Sequence, residues 1–249
     1  MNIFYEYQYG ENYGYMHFAQ FGTSHWMALL VSILLIFSLP LYAKHRLSET
    51  WQNRIGNVLA VIVFSNIFIW MGIEMAAGTF ELKKDLPLHL CRVSNLLTPL
   101  VLIRRNAIAL DVLYAWAFSG VLQATLTPDL QHEFPHFMFF RYWIGHPAVI
   151  LAVIYAIIVY KMIPSKHCVR NAMIGLNVYV LTVTVANLLL DSNYFFLRAK
   201  PATKSALDLF GDWPWYLVVC EVLFLANFSL TYLPFAWKRW KEARINRVE

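Results

Sequence analysis

An all-α polytopic membrane helix bundle is what this sequence predicts, and three observations predict it. Of its 249 residues, 59% are hydrophobic and only 14% are charged, with a mean hydropathy of +0.49. A soluble domain carries about 25% charged residues. The apolar residues fall in runs long enough to cross about 30 Å of hydrocarbon as helices, which satisfy their own backbone donors and acceptors there. The Lys and Arg side chains collect between the runs rather than inside them. No stretch has the polar surface of a soluble domain, so residues 1–249 read as one integral membrane domain.

The runs lie near His25–Ala43, Gly56–Ala77, Pro87–Ile103, Ala107–Leu126, Pro147–Ile163, Asn171–Leu190 and Trp213–Phe235, giving about seven transmembrane helices. The first opens after Gly22-Thr23-Ser24 and the second carries Glu74 near its end. The third is the shortest and most polar, which places it inside the bundle. Pro147 suits the first helical position of the fifth, since its missing N–H costs nothing there, and that makes His146 the N-cap. The seventh starts from Gly211-Asp212-Trp213-Pro214-Trp215 and is followed by a basic tail, 236–249. Residues 1–22 are Tyr-rich and hold no Lys or Arg, so they lack the charged start of a signal peptide.

Orientation follows from charge. With the N-terminus outside, the inner segments carry 13 Lys and Arg, the outer ones 6, and Arg92 falls within a span. The positive-inside rule then sets the N-terminus outside and the C-terminus inside. This arrangement also accounts for the formal charge of +5 without nucleic acid. The basic tail reads as a contact for anionic phospholipid headgroups. Three cysteines cannot all pair; Cys91 and Cys220 sit in apolar runs and Cys168 in a basic connector, so no disulfide framework is expected. No internal repeat marks an inverted-repeat transporter.

This topology gathers reactive groups at the outer half: His25, Glu74, His89, Cys91, His146, Asp191 and Asn193. His132 and His136 lie in the outer connector Thr127–Tyr142 and read as solvated. The segment Leu86–Arg92 is the densest part, and ionisable side chains there are costly enough to mark a functional site. On a helix, His89 and Cys91 are roughly 200° apart, so any base for Cys91 comes from another span. His146 is the candidate, because a Cys–His pair generates the thiolate that attacks an acyl carbonyl. Each residue also has a plainer reading: Cys91 as apolar filler, His146 as an interfacial cap, His25 as a cap of the first span. Arg92 and Glu221 read as a buried ion pair with each other or with Glu74. Asn95 or His89 would donate to an oxyanion, and Arg92 or Arg198 would hold a phosphate.

Zinc draws on His25, His89, Cys91 and His146 as donors, but no HExxH, paired CxxC or His-x3-His pattern accompanies them, so no metal or cofactor is expected. Phosphate-cradling glycine loops, dinucleotide fingerprints and GxSxG elbows are also missing. The loop Asp191–Asp212 reads either as an interfacial aromatic belt or as a partial lid, with a short interfacial helix at Lys204–Phe210.

Leu86-Pro87-Leu88-His89-Leu90-Cys91 resembles the signature of YwaF-like bacterial integral membrane proteins. So do Phe139-Phe140…His146, Asn193-Tyr194…Leu197-Arg198…Lys200-Pro201 and Trp213-Pro214-Trp215-Tyr216. More remotely, the chain resembles the eukaryotic transmembrane protein 164 acyltransferases. That resemblance implies a multi-pass enzyme of the bacterial cell membrane moving acyl chains between phospholipids, with Cys91 as nucleophile and His146 as base. His25, His89, Arg92, Asn95, Asn193 and Arg198 are candidate substrate contacts on chemical grounds alone. The alternatives are a binding or transport protein for a small polar ligand, and a zinc-dependent lipid hydrolase.

Overall fold

The computed structural model of the protein describes residues 18–201 and 206–245. The Tyr-rich segment through residue 17, Lys204 and Arg247 fall outside the described residues. Nine α-helices are described: α1 (Thr23–Arg46), α2 (Glu49–Ala77), α3 (Leu90–Leu102), α4 (Ala107–Trp116), α5 (Leu122–Leu126), α6 (Phe137–Gly145), α7 (Pro147–Ile158), α8 (Cys168–Leu190) and α9 (Trp215–Ile245). A π-helical turn, Ala117–Val121, joins α4 to α5, and 3-10 turns cover Tyr194–Phe196 and Ala206–Phe210. Among the described residues, six rods are long and apolar enough to cross a membrane: α1, α2, Ala107–Leu126, Phe137–Ile158, α8 and α9.

The helices pack as an up-down bundle. Its near end is taken here as the end where α1 begins. At the far end, Arg105 donates to Asn53 Oδ1 (2.6 Å), Tyr155 to Gln52 O (2.7 Å) and Arg239 to Pro164 O (2.7 Å), which ties the chain after α3 and the end of α7 to the first turns of α2, and the end of α9 to the connector before α8. Asp111, only 1% exposed, accepts from Ser165 N, Ser165 Oγ and Asn171 Nδ2 at 2.6–2.7 Å, locking the connector before α8. A satisfied carboxylate of this kind is what burial of a charge requires.

Outer and inner rods differ in burial. On α1 only His25, Leu29, Ser32, Ile36, Pro40 and Ala43 are buried, one stripe at helical spacing. Leu30, Leu34 and Phe37 on the same helix are about half exposed, as a lipid-facing surface would be. In contrast, α4 is buried continuously from Ala109 to Trp116, and α7 at Pro147, Val149–Val153, Tyr155 and Ala156. These two helices, with α3, form the centre. Gly175 lets α8 approach α4 closely; a Cβ there would stand 3.1 Å from Val112 Cγ2.

Three expectations change. The third span is not a full-length helix: α3 has 13 residues, about 20 Å. Residues 79–89 precede it as irregular chain, exposed at 81–84 and half buried at 85–89. The fifth span begins earlier than Pro147, because α6 adds Phe137–Gly145 before it. The connector Thr127–Tyr142 is therefore half helix, and His136 is its buried N-cap rather than a solvated residue, accepting from Met138 N (3.2 Å). Finally, α9 continues to Ile245, so the described part of the basic tail is helical.

Candidate functional site

The site is assembled where α3 begins and where α6 breaks into α7. Gly78, left-handed at φ +73°, closes α2 and turns the chain back into the bundle. The residues that follow are pinned by two tyrosines. Tyr194 Oη donates to Leu82 O (2.7 Å) and accepts from Leu86 N (3.0 Å), while Tyr179 Oη donates to Leu88 O (2.7 Å). His89 then serves as the extended N-cap of α3 with no side-chain capping bond, and its ring meets the Tyr194 ring at 5.4 Å, edge to face. Cys91 is the second residue of α3 and is half buried. The N–H groups of Leu90 and Arg92 make no hydrogen bond among the described residues, as the first turn of a helix leaves them.

His146 ends α6 and starts α7. Pro147 has no N–H to continue the ladder, so the rod breaks there. This is the N-cap position read from the sequence, but it lies nine residues into the Phe137–Ile158 rod and not outside the span. His146 N and Nδ1 both meet the Tyr142 carbonyl at 3.0 Å. A carbonyl only accepts, so the hydrogen sits on Nδ1 and the Nε2 lone pair is open. The ring stacks on Tyr142 at 4.0 Å with 19° between planes, and Tyr142 Oη donates to Ala124 O (2.6 Å).

Two asparagines join these halves. Asn66 Nδ2 of α2 donates to Arg141 O (3.2 Å). The Asn95 amide, oriented with its nitrogen toward the carbonyls, donates to Gly145 O (2.8 Å) and Cys91 O (3.2 Å). Its two N–H bonds are thus committed, which corrects the expectation that Asn95 serves an oxyanion: it braces the Cys91 turn against the residue before His146. A side chain at Gly145 would stand 2.9 Å from Asn66 Nδ2, so the contact needs glycine. Cys91 lies within electrostatic reach of both Tyr142 and Tyr179, and Arg92 and Arg141 within reach of both histidines, His89 and His146.

Arg92 does not pair with Glu221. Its Nη1 donates to Asp85 O (3.0 Å) and Leu86 O (3.1 Å), and its guanidinium lies 4.1 Å from the Trp70 ring centre. Glu221 instead accepts from Asn177 (2.7 Å). Glu74, 3% exposed, accepts from Trp70 Nε1 (2.9 Å) and Thr79 Oγ1 (2.5 Å). The irregular chain at 85–86 explains the change, because it offers carbonyls where a regular helix would not.

The other expected contacts stand apart. His25 is fully buried; Phe21 N donates to its Nδ1 (2.8 Å), and Phe18, Phe21 and Trp143 surround its ring. The turn over residues 18–22 covers its ring. Asn193 closes the loop after α8, bonding Ala199 O, Arg198 N and Ala199 N. Arg198 and Lys83 both hold Asp191, at 2.9 and 3.2 Å. Their hydrogen bonds hold the Asp191 carboxyl below its ordinary range. Trp70, Arg141 and Tyr142 belong to the site without having been singled out. The signal for them was a charge within Phe139-Phe140-Arg141-Tyr142-Trp143, an otherwise aromatic run.

A cavity of about 940 Å³ lies between α1 and α6, lined by Met27, Val31, Leu35, Phe139, Phe140 and Trp143 among others. It is mostly apolar, and neither Tyr142 nor His146 is among its lining residues. Among the described residues no group of three or more His, Cys, Asp or Glu side chains is placed to hold a metal ion.

Comparison with known proteins gives a family. No solved structure matches the chain. A protein of Treponema pallidum (strain Nichols), described as uncharacterized, is 26% identical over 195 residues, covering 74% of this chain and 76% of that one. The model of the TMEM164 family matches residues 20–232, from the turn before α1 into α9, and the chain belongs to the TMEM164 family.

Proposed function

We propose that the protein is a membrane-embedded acyltransferase that acts on phospholipid acyl chains at the outer leaflet of a bacterial membrane. Cys91 is the nucleophile and His146 the base. One observation carries this reading: the Asn95 amide joins the Cys91 turn to the α6–α7 break, where the Tyr142 carbonyl leaves His146 Nε2 as a lone pair. A nucleophile and a base on separate helices need such a brace, since small displacements cost large factors in rate.

The chemistry balances as follows. His146 Nε2 takes the Cys91 thiol proton, and the thiolate adds to the ester carbonyl of a glycerolipid. The oxyanion faces the free N–H groups at the start of α3, which supply fixed donors. Collapse breaks the ester C–O bond; the lysolipid oxygen leaves with the proton from His146, and the acyl group stays on Cys91 as a thioester. An acceptor hydroxyl then gives its proton to His146 and attacks the thioester; the C–S bond breaks, and the Cys91 thiolate takes that proton back from His146. Pro147 and the Tyr142 stack hold the imidazole through both steps.

The test is trapping of the acyl-enzyme with an activated alkyne-lipid followed by hydroxylamine. Wild-type protein takes up label that hydroxylamine removes, and Cys91→Ala takes up none. Equal labelling of Cys91→Ala overturns the assignment. Cys91→Ser separates the enzyme from a binding or transport protein, which would keep its ligand uptake with serine in that place.

A further inference from the structure

Helix α8 is buried on one face only. Cys168, Ala172, Leu176, Tyr179, Val183 and Asn187 form that stripe, and the helix packs against α4 and α9. The opposite face carries Ile174, Val178, Leu181, Val185 and Leu188, which are 48–68% exposed. At about 100° per residue these five fall within about 40° of one line. Their spacing alternates between four and three, as the core positions of a coiled coil do. Val178 and Val185 take one core position; Ile174, Leu181 and Leu188 take the other. A β-branched residue at the first and leucine at the second favour a parallel pair of helices.

A lipid-facing stripe needs only to be apolar, so the stripe alone selects no partner. Its edge does. Asn177 is exposed, about 60° to one side of the line. It stands nine residues from one end of α8 and thirteen from the other, in the middle of a helix long and apolar enough to cross a membrane. Asn177 Nδ2 donates to Met173 O (3.0 Å) and Glu221 Oε1 (2.7 Å), which uses both of its N–H bonds. Asn177 Oδ1 accepts from nothing among the described residues, and Glu221 has no other hydrogen bond or ion pair among them. Hydrocarbon offers no donor to such an oxygen, and polar side chains placed this way join membrane helices to one another.

The same helix supplies the missing donor. In this heptad frame Asn177 holds a g position and Thr182 the e position of the next heptad, and e and g positions face each other across a parallel pair. Thr182 is exposed, and its hydroxyl donates to Val178 O (2.8 Å), a carbonyl that the helix already serves with an N–H. The hydroxyl can therefore turn to Asn177 Oδ1 of a neighbour without stranding a backbone group. Each copy brings one open acceptor and one donor, so a two-fold axis satisfies both at once. Two copies inserted in the same sense also set their α8 helices parallel, as the stripe prefers.

We infer that the outer face of α8 is a homodimer interface, where two copies of the chain pack α8 against α8 about a two-fold axis along the membrane normal. Val178, Leu181 and Val185 form the centre of the seam, and Asn177 of each copy meets the partner's Thr182. Glu221 is a positioning residue, since it fixes the Asn177 amide from α9.

The test counts subunits of the full-length protein in liposomes by single-molecule photobleaching over a range of protein-to-lipid ratios. Wild-type protein should give two-step traces that yield to single steps on dilution. Leu181→Trp overfills the seam at a lipid-compatible position and should weaken association at least about tenfold without lowering the melting temperature. Asn177→Leu should weaken it about tenfold. Both leave the buried stripe, with the Tyr179 bond to Leu88 O, in place. Oxidative crosslinking locates the interface: Leu181→Cys should form a covalent dimer, and Leu34→Cys, on the exposed face of α1, none above the wild-type background. Single-step traces at every ratio overturn the inference. So does a dimer that crosslinks through residue 34 and not 181, or one that neither Leu181→Trp nor Asn177→Leu weakens. Cys91→Ala should dimerise like wild type, so this inference and the acyltransferase reading fail separately.

Discussion

One buried and one half-buried charge, each beside a cysteine, sit toward opposite ends of this bundle and are treated in opposite ways. At the far end Asp111 accepts three hydrogen bonds from Ser165 and Asn171, and Cys168 Sγ contacts its carbonyl at 3.5 Å. Cys168 is 1% exposed and packs into the core. Toward the near end Arg92 is held by one nitrogen only, with part of its fork open, and Cys91 is half buried one residue before it. The first arrangement is closed: every oxygen of the carboxylate is spent on the fold. The second is open, and openness in a costly place is what separates a site from a staple. Residue type cannot tell the two apart, since both are a charge beside a thiol. Partner geometry can.

The strongest way to break this contrast is to exchange the fates of the two cysteines. Cys91→Ala should lower acyl-enzyme formation by at least about 10³-fold, since the nucleophile itself is removed. Cys168→Ala should leave the label within about twofold of wild type. Label lost equally in both variants would mean that fold integrity, not chemistry, governs the signal. Stability should answer in the reverse order. Asp111→Ala strands the Ser165 and Asn171 donors in the interior and should cost about 3 kcal/mol in reversible detergent unfolding. Arg92→Gln relieves an unpaired charge and should cost less than about half of that. If Arg92→Gln proves the more damaging change, its guanidinium is structural and the contrast collapses.

Much of the fold is legible because lipid imposes a simple code. The runs at His25–Ala43, Gly56–Ala77 and Asn171–Leu190 are long, apolar and bounded by charge, and the helices α1, α2 and α8 cover them. The third span misled for a physical reason. Hydropathy reports burial, and Pro87-Leu88-His89 are half buried without being helical, so their apolar content extends the apparent span backward from α3. The early start of the fifth rod escaped for a related reason. Arg141 looks like a connector charge until Trp70 is known to face it, because a cation on an indole leaves no trace in local sequence. Cys91 and His146 stood out as residue types capable of the chemistry. Asn95, which links their turns, did so only in the wrong role, since a hydrogen bond between helices is invisible to spacing along one of them.

That brace gives the next test. Gly145→Ala adds a methyl group 2.9 Å from Asn66 Nδ2 and 3.4 Å from the Asn95 amide, so these two side chains must give way and loosen their hold on the α6–α7 break. A displacement of this kind should slow acyl transfer by about 10- to 100-fold while leaving the melting temperature within a few degrees. The far-end tyrosine contacts to Gln52 are remote from it and should keep their hydrogen-exchange protection. Wild-type rates in Gly145→Ala would remove Asn95 from the machinery.

The smallest effect is at the loop after α8, and its direction follows from charge. Arg198 and Lys83 hold the Asp191 carboxyl below its ordinary range, and the group is otherwise exposed. A carboxyl depressed in the folded state stabilises above its unfolded value, near 3.9, and loses that contribution as pH falls through the lower folded value. Amide exchange over residues 192–199, corrected for its intrinsic pH dependence, should therefore stay constant from neutrality to about pH 4 and quicken below. Asp191→Asn should show the quicker exchange throughout and no step. Exposed ion pairs contribute little and are screened by salt, so the step should shrink at high ionic strength. The Asp111 cluster, buried and fully bonded, should show no such sensitivity to salt, which would place the two acids of α4 and α8 on the two sides of the same contrast.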